Sequence, residues 1–253
     1  MDNEQIGTSA IINALSKTDF LVPHLQSGDR GLSFDGYIDV FKTAGTNHSK
    51  GDLDGQPRVQ VKGKKTRPPY KEKISYPVEI EDMGNYLKFG GVIFFVVYFD
   101  YNGENETIYY NALLPYDLKR YLREMGNQKT KSISLKRFPT EKEAITEVFV
   151  NFVLDMRKQH ASIDAEEMTL EAISKRGGLK SLSFSYTSLS KRHYDVLDLL
   201  LSKEMFMYAD LDYGFKYPVE HISDVVMACA SVNRSVLIDN KTNYKKSSSE
   251  MTI

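Results

Sequence analysis

Apolar residues recur at helical spacing at the start of the chain, where Ile6, Ala10, Ile11 and Leu15 of residues 3–16 (NEQIGTSAIINALS) fall on one face. Asp2 or Asn3 can cap that helix. The stretch SGDRGLS (27–33) is turn-rich, and FDGYIDVF (34–41) reads as a strand. Gly, Asn, Asp and Pro residues make 43–57 a loop. RVQVKGKK (58–65) follows as a second strand, so the pair reads as a hairpin with a long loop. TRPPYKEK is a basic, proline-containing loop, SYPVEI (75–80) a short strand and EDMGNYLKF a helix. The apolar run VIFFVVYF (92–99) is a buried strand, since a membrane helix needs about 20 residues. NGEN (102–105) is a turn, and TIYYNAL (107–113) is the antiparallel partner of the buried strand. PYDLKRYLREM (115–125) opens a helix on proline, whose missing N–H costs little there. SISLKRF (132–138) is a further strand. Residues 140–158 form an amphipathic helix with Ala144, Val148, Phe152 and Met156 at intervals of four.

This order predicts a mixed α/β domain, a sheet flanked by helices, over residues 1–160, with KQHASIDAEE (158–167) as its boundary. Beyond it SLSFSYTSL is strand-like, KRHYDVLDLLLSK and VEHISDVVMACA are helical, and RSVLIDNKTNYKK is a strand and turn. Residues 161–253 therefore read as a small C-terminal α/β module with an incomplete sheet, serving substrate access, oligomerisation or partner binding. The chain has 253 residues, 41% hydrophobic and 26% charged, as in ordinary soluble proteins. A net charge of −1 excludes a wholly basic nucleic-acid binder but not a local basic patch. The single cysteine, Cys229, rules out a disulfide framework or a cysteine zinc site within one chain. The polar N-terminus does not read as a signal peptide, so a soluble, cytoplasmic protein without a membrane partner is expected. The five histidines show no ligand spacing, and SGDRGLS lacks the phosphate-loop pattern.

The chemistry concentrates on two strands. Side chains alternate along a strand, which puts Asp35, Tyr37 and Asp39 on one face of the first. Gln60, Lys62 and Lys64 share a face of the next, while Val59 and Val61 turn to the core. If those faces coincide, a carboxylate, an amide oxygen and an ammonium meet. Magnesium takes oxygen ligands and is usually held by one or two protein carboxylates plus waters. Asp35 is then a ligand, with Asp39 the alternative acid. Gln60 offers its carbonyl oxygen or holds a water, and Lys62 stabilises charge on a phosphate. That is the setting of metal-assisted phosphodiester cleavage. Arg58, Lys62, Lys64, Lys65, Arg67, Lys71 and Lys73 follow one another against a single acid, Glu72, with Tyr70 and Tyr76 interleaved. Such lysines and arginines supply most non-specific affinity for nucleic acid. Tyr109 and Tyr110 read as half-buried core.

A helix glutamate, then D-G in one strand and V-Q-V-K-G in the next, resembles the PD-(D/E)xK restriction-endonuclease-like nuclease superfamily in its Q-x-K variant. The likeness spans roughly residues 3–125 and is strongest to a bacterial branch with "G…D-G-x-I…V-Q-V-K-G" strands and a later Y-x-x-x-L. That branch is found in phage-defence and mobile-element settings. The resemblance implies a restriction-endonuclease-like core with Asp35 at the Asp position, Gln60 at the Glu/Gln position and Lys62 at the Lys position. Glu4 matches the helix acid. Asp35, Gln60 and Glu4 would hold Mg2+ or Mn2+. Two positions depart from the pattern: Phe34 precedes Asp35 where the family has proline, and Gln60 replaces the commoner glutamate. The lost charge is expected to weaken magnesium binding and favour manganese. The implied function is a metal-dependent endonuclease acting on DNA rather than RNA, as an effector of phage defence. A homodimer or larger oligomer and a defence-system partner protein are implied with it. The alternative is the same fold, catalytically weak or inactive, binding nucleic acid or a partner protein.

Overall fold

The apolar run Val92–Phe99 forms a strand inside an eight-stranded mixed sheet. In chain order the strands of this sheet are β1 (Leu21–Leu25), β2 (Gly36–Phe41), β3 (Leu53–Gly55), β4 (Arg58–Lys65), β5 (Lys73–Glu79), β6 (Val92–Phe99), β7 (Thr107–Leu113) and β8 (Thr130–Arg137). The structure is a computed structural model that describes residues 2–26, 33–67, 71–102, 105–165, 168, 170–189, 203–212, 214, 216–222, 239–241 and 248–252. All of β6 except Tyr98 is buried, which is what a strand covered on both faces requires. β4 lies parallel on one side of β6, with Gln60 beside Phe94 and Lys62 beside Val96. β7 lies antiparallel on the other. β2 pairs antiparallel with the start of β4, and β1 closes that edge. At the far side β8 meets β7 only at Tyr109 and Tyr110, then runs along β5.

Alternation along β4 and β6 sorts the core into two layers. Val59, Val61, Ile93, Phe95 and Val97 are fully buried on one face. The helix α1 (Asn3–Leu15) seats there so closely that a β-carbon on Gly63 would stand 1.9 Å from the Asn3 carbonyl oxygen. On the opposite face Phe94, Val96 and Tyr109 pack with Val78, Ile133 and Leu135. Met83 and Tyr86 of α2 (Ile80–Lys88) and Leu118 of α3 (Pro115–Glu124) complete that layer. Tyr109 and Tyr110 are deeper than expected, both buried, and the Tyr109 hydroxyl donates to the Lys71 carbonyl at 2.7 Å.

The Tyr86 hydroxyl is buried with no hydrogen-bond partner among the described residues. An unsatisfied buried hydroxyl costs about 1–3 kcal/mol. Tyr86→Phe is therefore expected to raise the urea midpoint with an unchanged slope. A lower midpoint would mean that the hydroxyl has a partner.

Three expectations need correction. The long helix is α4 (Lys142–His160), and its buried face is Ile145, Phe149, Phe152 and Val153. Of the expected stripe only Phe152 is buried. Ala144, Val148 and Met156 are half-buried, because a strict spacing of four drifts off a face that repeats every 3.6 residues. β1 was not expected as a strand at all. It contains Pro23, which a sheet tolerates at its edge. The expected loop 43–57 also holds a one-turn 3-10 helix at Lys50–Asp52 and the three-residue β3, paired with β2.

The chain divides into two units, Met1–Met156 and Arg157–Ile253. The second unit contains α5 (Leu170–Arg176) and an antiparallel sheet of β9 (Leu179–Thr187), β10 (Phe206–Leu211) and β11 (Lys216–His221). β13 (Ser248–Thr252) and β12 (Asp239–Lys241) extend it beyond β9. Its core is Ile173, Phe184, Met205, Met207, Ala209, Leu211, Tyr217, Val219 and Ile222. Val219–His221, expected to start a helix, instead end β11, where Tyr217 and Val219 point inward. The final SSSEMTI contains β13. The expected helix at 191–203, except Lys203, lies outside the described residues, as do His193, Cys229 and most of 223–246. Among the described residues no helix is long and apolar enough to cross a membrane.

Candidate functional site

β2 pairs with β4 only through Gly36 with Val59 and Tyr37 with Arg58. Past that point the edge of β4 on this side carries no paired strand among the described residues, and its N–H groups need another acceptor. Asp35 supplies it. Its Oδ2 accepts from the Val61 N–H at 2.5 Å and from Gln60 Nε2 at 2.6 Å. The Asp35 backbone is fixed as well: its N–H donates to the Val59 carbonyl and its carbonyl accepts from the Gln26 N–H, both at 2.9 Å. Gly36 permits this approach. It has a φ of 145°, and a β-carbon there would lie 2.0 Å from the His24 carbonyl oxygen.

Glu4, in the first turn of α1, stands close enough to this carboxylate to act on its protonation. Asp35 is 7% exposed and Gln60 3%. Burial is the main force on the Asp35 carboxyl and pushes it up. The Val61 N–H pulls it down, the hydrogen bond and the charge of Glu4 raise it, and the Lys62 ammonium lowers it. The outcome is a pKa of about 6. Lys62 itself is exposed. Glu4, Asp35, Gln60 and Lys62, expected from three separate segments, are thus brought together at the open edge of β4.

The structure differs from expectation in detail. It is the amide nitrogen of Gln60, not its carbonyl oxygen, that faces Asp35. Asp39 lies apart from this group. Its Oδ2 contacts His24 Nε2 at 2.9 Å and its Oδ1 accepts from Gln56 Nε2 at 2.8 Å. Asp35 itself lies just before β2, next to Gly36 with its positive φ. The other histidines with ring contacts are structural in setting: His48 stacks on Phe41 at 3.7 Å and His221 packs on Phe206 at 4.2 Å.

The basic residues divide into three settings. The Arg58 guanidinium lies 5.0 Å from the Phe34 ring centre and 4.3 Å from that of Phe89. Lys64 lies over Tyr76 at 4.8 Å, and Lys65 is exposed at the end of β4. Arg67, Lys71 and Lys73 line a shallow cleft of about 680 Å³ with Tyr98, Ser132 and Ser134. Tyr70 lies outside the described residues. Sequence reasoning missed the part played by α2. Asn85 Nδ2 donates to Ser33 Oγ at 2.9 Å, and Tyr86 and Phe89 both pack on Phe34, so α2 buttresses the segment that carries Asp35. No local pattern announces such a contact, because the partners are some fifty positions apart.

Among the described residues no group of three or more His, Cys, Asp or Glu side chains is placed to hold a metal. The site offers two carboxylates with an amide between strands. An all-oxygen pair suits a hard divalent cation that keeps several waters, and a cation would relieve the crowding of Glu4 against Asp35. No protein-family model matches the chain, and neither a curated protein nor a solved structure matches it.

Proposed function

We propose that the unit Met1–Met156 is a restriction-endonuclease-like, metal-dependent nuclease that hydrolyses phosphodiester bonds of DNA in preference to RNA. The observation that carries this reading is the meeting of Glu4, Asp35, Gln60 and Lys62 at one strand edge. Asp35 and Glu4 would hold Mg2+ or Mn2+, and the bound cation would supply Lewis-acid activation of water and offset charge on the phosphate. Gln60 and the Val61 N–H fix the Asp35 carboxylate in orientation. Lys62, exposed beside it, meets the negative charge that builds on the phosphate during in-line attack. The Lys and Arg side chains that follow on β4 and in the cleft contact the backbone on either side. A homodimer or larger oligomer, a defence-system partner protein and a phage-defence role belong to this reading through the family resemblance alone.

A second reading, a nuclease fold that binds without cutting, is favoured by one observation. The neutral amide of Gln60 already bonds to Asp35, so the site carries only two acids. One experiment separates the two. Plasmid and single-stranded oligonucleotide are incubated with the protein in Mn2+, Mg2+ or EDTA, beside Lys62→Ala and Asp35→Ala. Metal-dependent cutting that falls about 10²–10³-fold in Lys62→Ala supports the nuclease. Absence of cutting by wild type in every metal, with nucleic-acid binding intact, supports the binding module.

A further inference from the structure

The geometry points to a single-stranded nucleic acid, rather than an intact duplex, as the occupant of the Asp35 site; this rests on the nuclease-fold reading above only in taking nucleic acid as the ligand. Arg58, Gln60, Lys62 and Lys64 share one face of β4, and the two ends of that row differ in chemistry. At the Arg58 end the surface is aromatic. Phe89 is 53% exposed although Arg58 lies over it, and Tyr37, paired directly with Arg58, is 37% exposed and stacks on His24 at 4.8 Å. Phe34, the residue before Asp35, touches both Phe89 and Arg58. At the Lys64 end the surface is cationic, leading to the cleft of Arg67, Lys71 and Lys73 with the hydroxyl-bearing Ser132 and Ser134. The row spans about 20 Å.

A strand laid along it meets rings on one side of the reacting centre and phosphate-binding groups on the other. Exposed rings accept the faces of unpaired bases, whereas a duplex keeps its base faces stacked on each other. Phosphate contacts alone would serve either form. It is the exposure of Phe89 and Tyr37 next to Asp35 that selects the single strand.

The test is fluorescence anisotropy in EDTA with the full chain and three labelled probes of one sequence: a DNA 20-mer, the same RNA, and the DNA duplex. Single strands should bind at least about tenfold more tightly than duplex at one salt concentration. Phe89→Ala and Tyr37→Ala should each weaken single-strand binding about 5–50-fold and leave duplex binding unchanged. Phe89→Trp should keep wild-type affinity, which separates stacking from a loosened Arg58. Lys71→Ala should weaken both forms and flatten the salt dependence. The DNA and RNA arms distinguish the two sources of the same ligand chemistry. Duplex binding as tight as single-strand binding would overturn the inference, as would Phe89→Ala and Tyr37→Ala both binding like wild type. Single-strand preference here, with no cutting in the Mn2+ and Mg2+ incubations described above, would leave this inference standing and remove the nuclease. No binding of any probe would remove both.

Discussion

Asp35→Asn is expected to abolish cleavage and, in the same variant, to make the metal-free protein more stable at neutral pH. The carboxyl is buried beside Glu4, and its pKa rises from 3.8 to about 6 on folding. At ~1.36 kcal/mol per unit this is a penalty of about 3 kcal/mol once the group is ionised in both states. The pH window follows from the direction of the shift. Below about pH 4 the carboxyl is protonated folded and unfolded, and wild type carries no penalty. Between pH 4 and 6 the unfolded chain loses its proton while the folded one keeps it, so wild-type stability falls as pH rises. Above pH 6 the deficit is constant. Asparagine keeps an oxygen for the Val61 N–H and presents an amide donor to Glu4, so Asp35→Asn should recover about 1–3 kcal/mol of the deficit. Urea midpoints in EDTA at pH 4, 5, 6 and 7.5 should coincide at the acid end and diverge by pH 6. Manganese at about 100 times its Kd should stabilise wild type by about 2.7 kcal/mol and the variant not at all. A variant less stable than wild type at pH 7.5 would show that the buried carboxylate stabilises the fold, and the balance drawn here would be wrong.

A buried acid that costs stability, as Asp35 is expected to, stands out in a sequence. D-G and V-Q-V-K-G stand out because each breaks the local preference of a strand, with an acid at its mouth and a charged residue inside it. Val92–Phe99 and Thr107–Leu113 were legible for the opposite reason. Their apolar content and the turn between them agree with the fold they adopt, and their bounds and pairing match. The failures are long-range. Nothing near Arg58 announces that Phe34 and Phe89 will flank it, since Phe89 arrives at the end of α2, some thirty positions later. β10 is not legible because FMYADL is nearly continuous in apolar content, which does not separate a buried strand from a helix, and β11, KYPVEH, carries a proline that argues against a strand.

Gly63→Ala tests whether Glu4 belongs to the site or merely lies near it. The added β-carbon would stand 1.9 Å from the Asn3 carbonyl oxygen and 2.5 Å from its carbon. Both are backbone atoms, so no flexible side chain can yield, and the start of α1 must lift from β4. Overpacking of this kind costs about 1–3 kcal/mol and sometimes more. Glu4, one residue along, moves with it. Cleavage should then fall at least as far as in Glu4→Gln, which removes the charge but leaves the helix seated. The double variant decides between the two effects. In a Glu4→Gln background, Gly63→Ala should still lower the urea midpoint but should not reduce the cleavage rate further, because the contact it breaks has already lost its function. A further fall would mean that lifting α1 disturbs Asp35 or Gln60 directly. Wild-type cleavage by a destabilised Gly63→Ala would mean that Asp35 and Lys62 work without the helix acid. The glycine after the lysine of V-Q-V-K-G is then a packing requirement: it lets a helix bring an acid to a strand edge that carries no paired strand among the described residues.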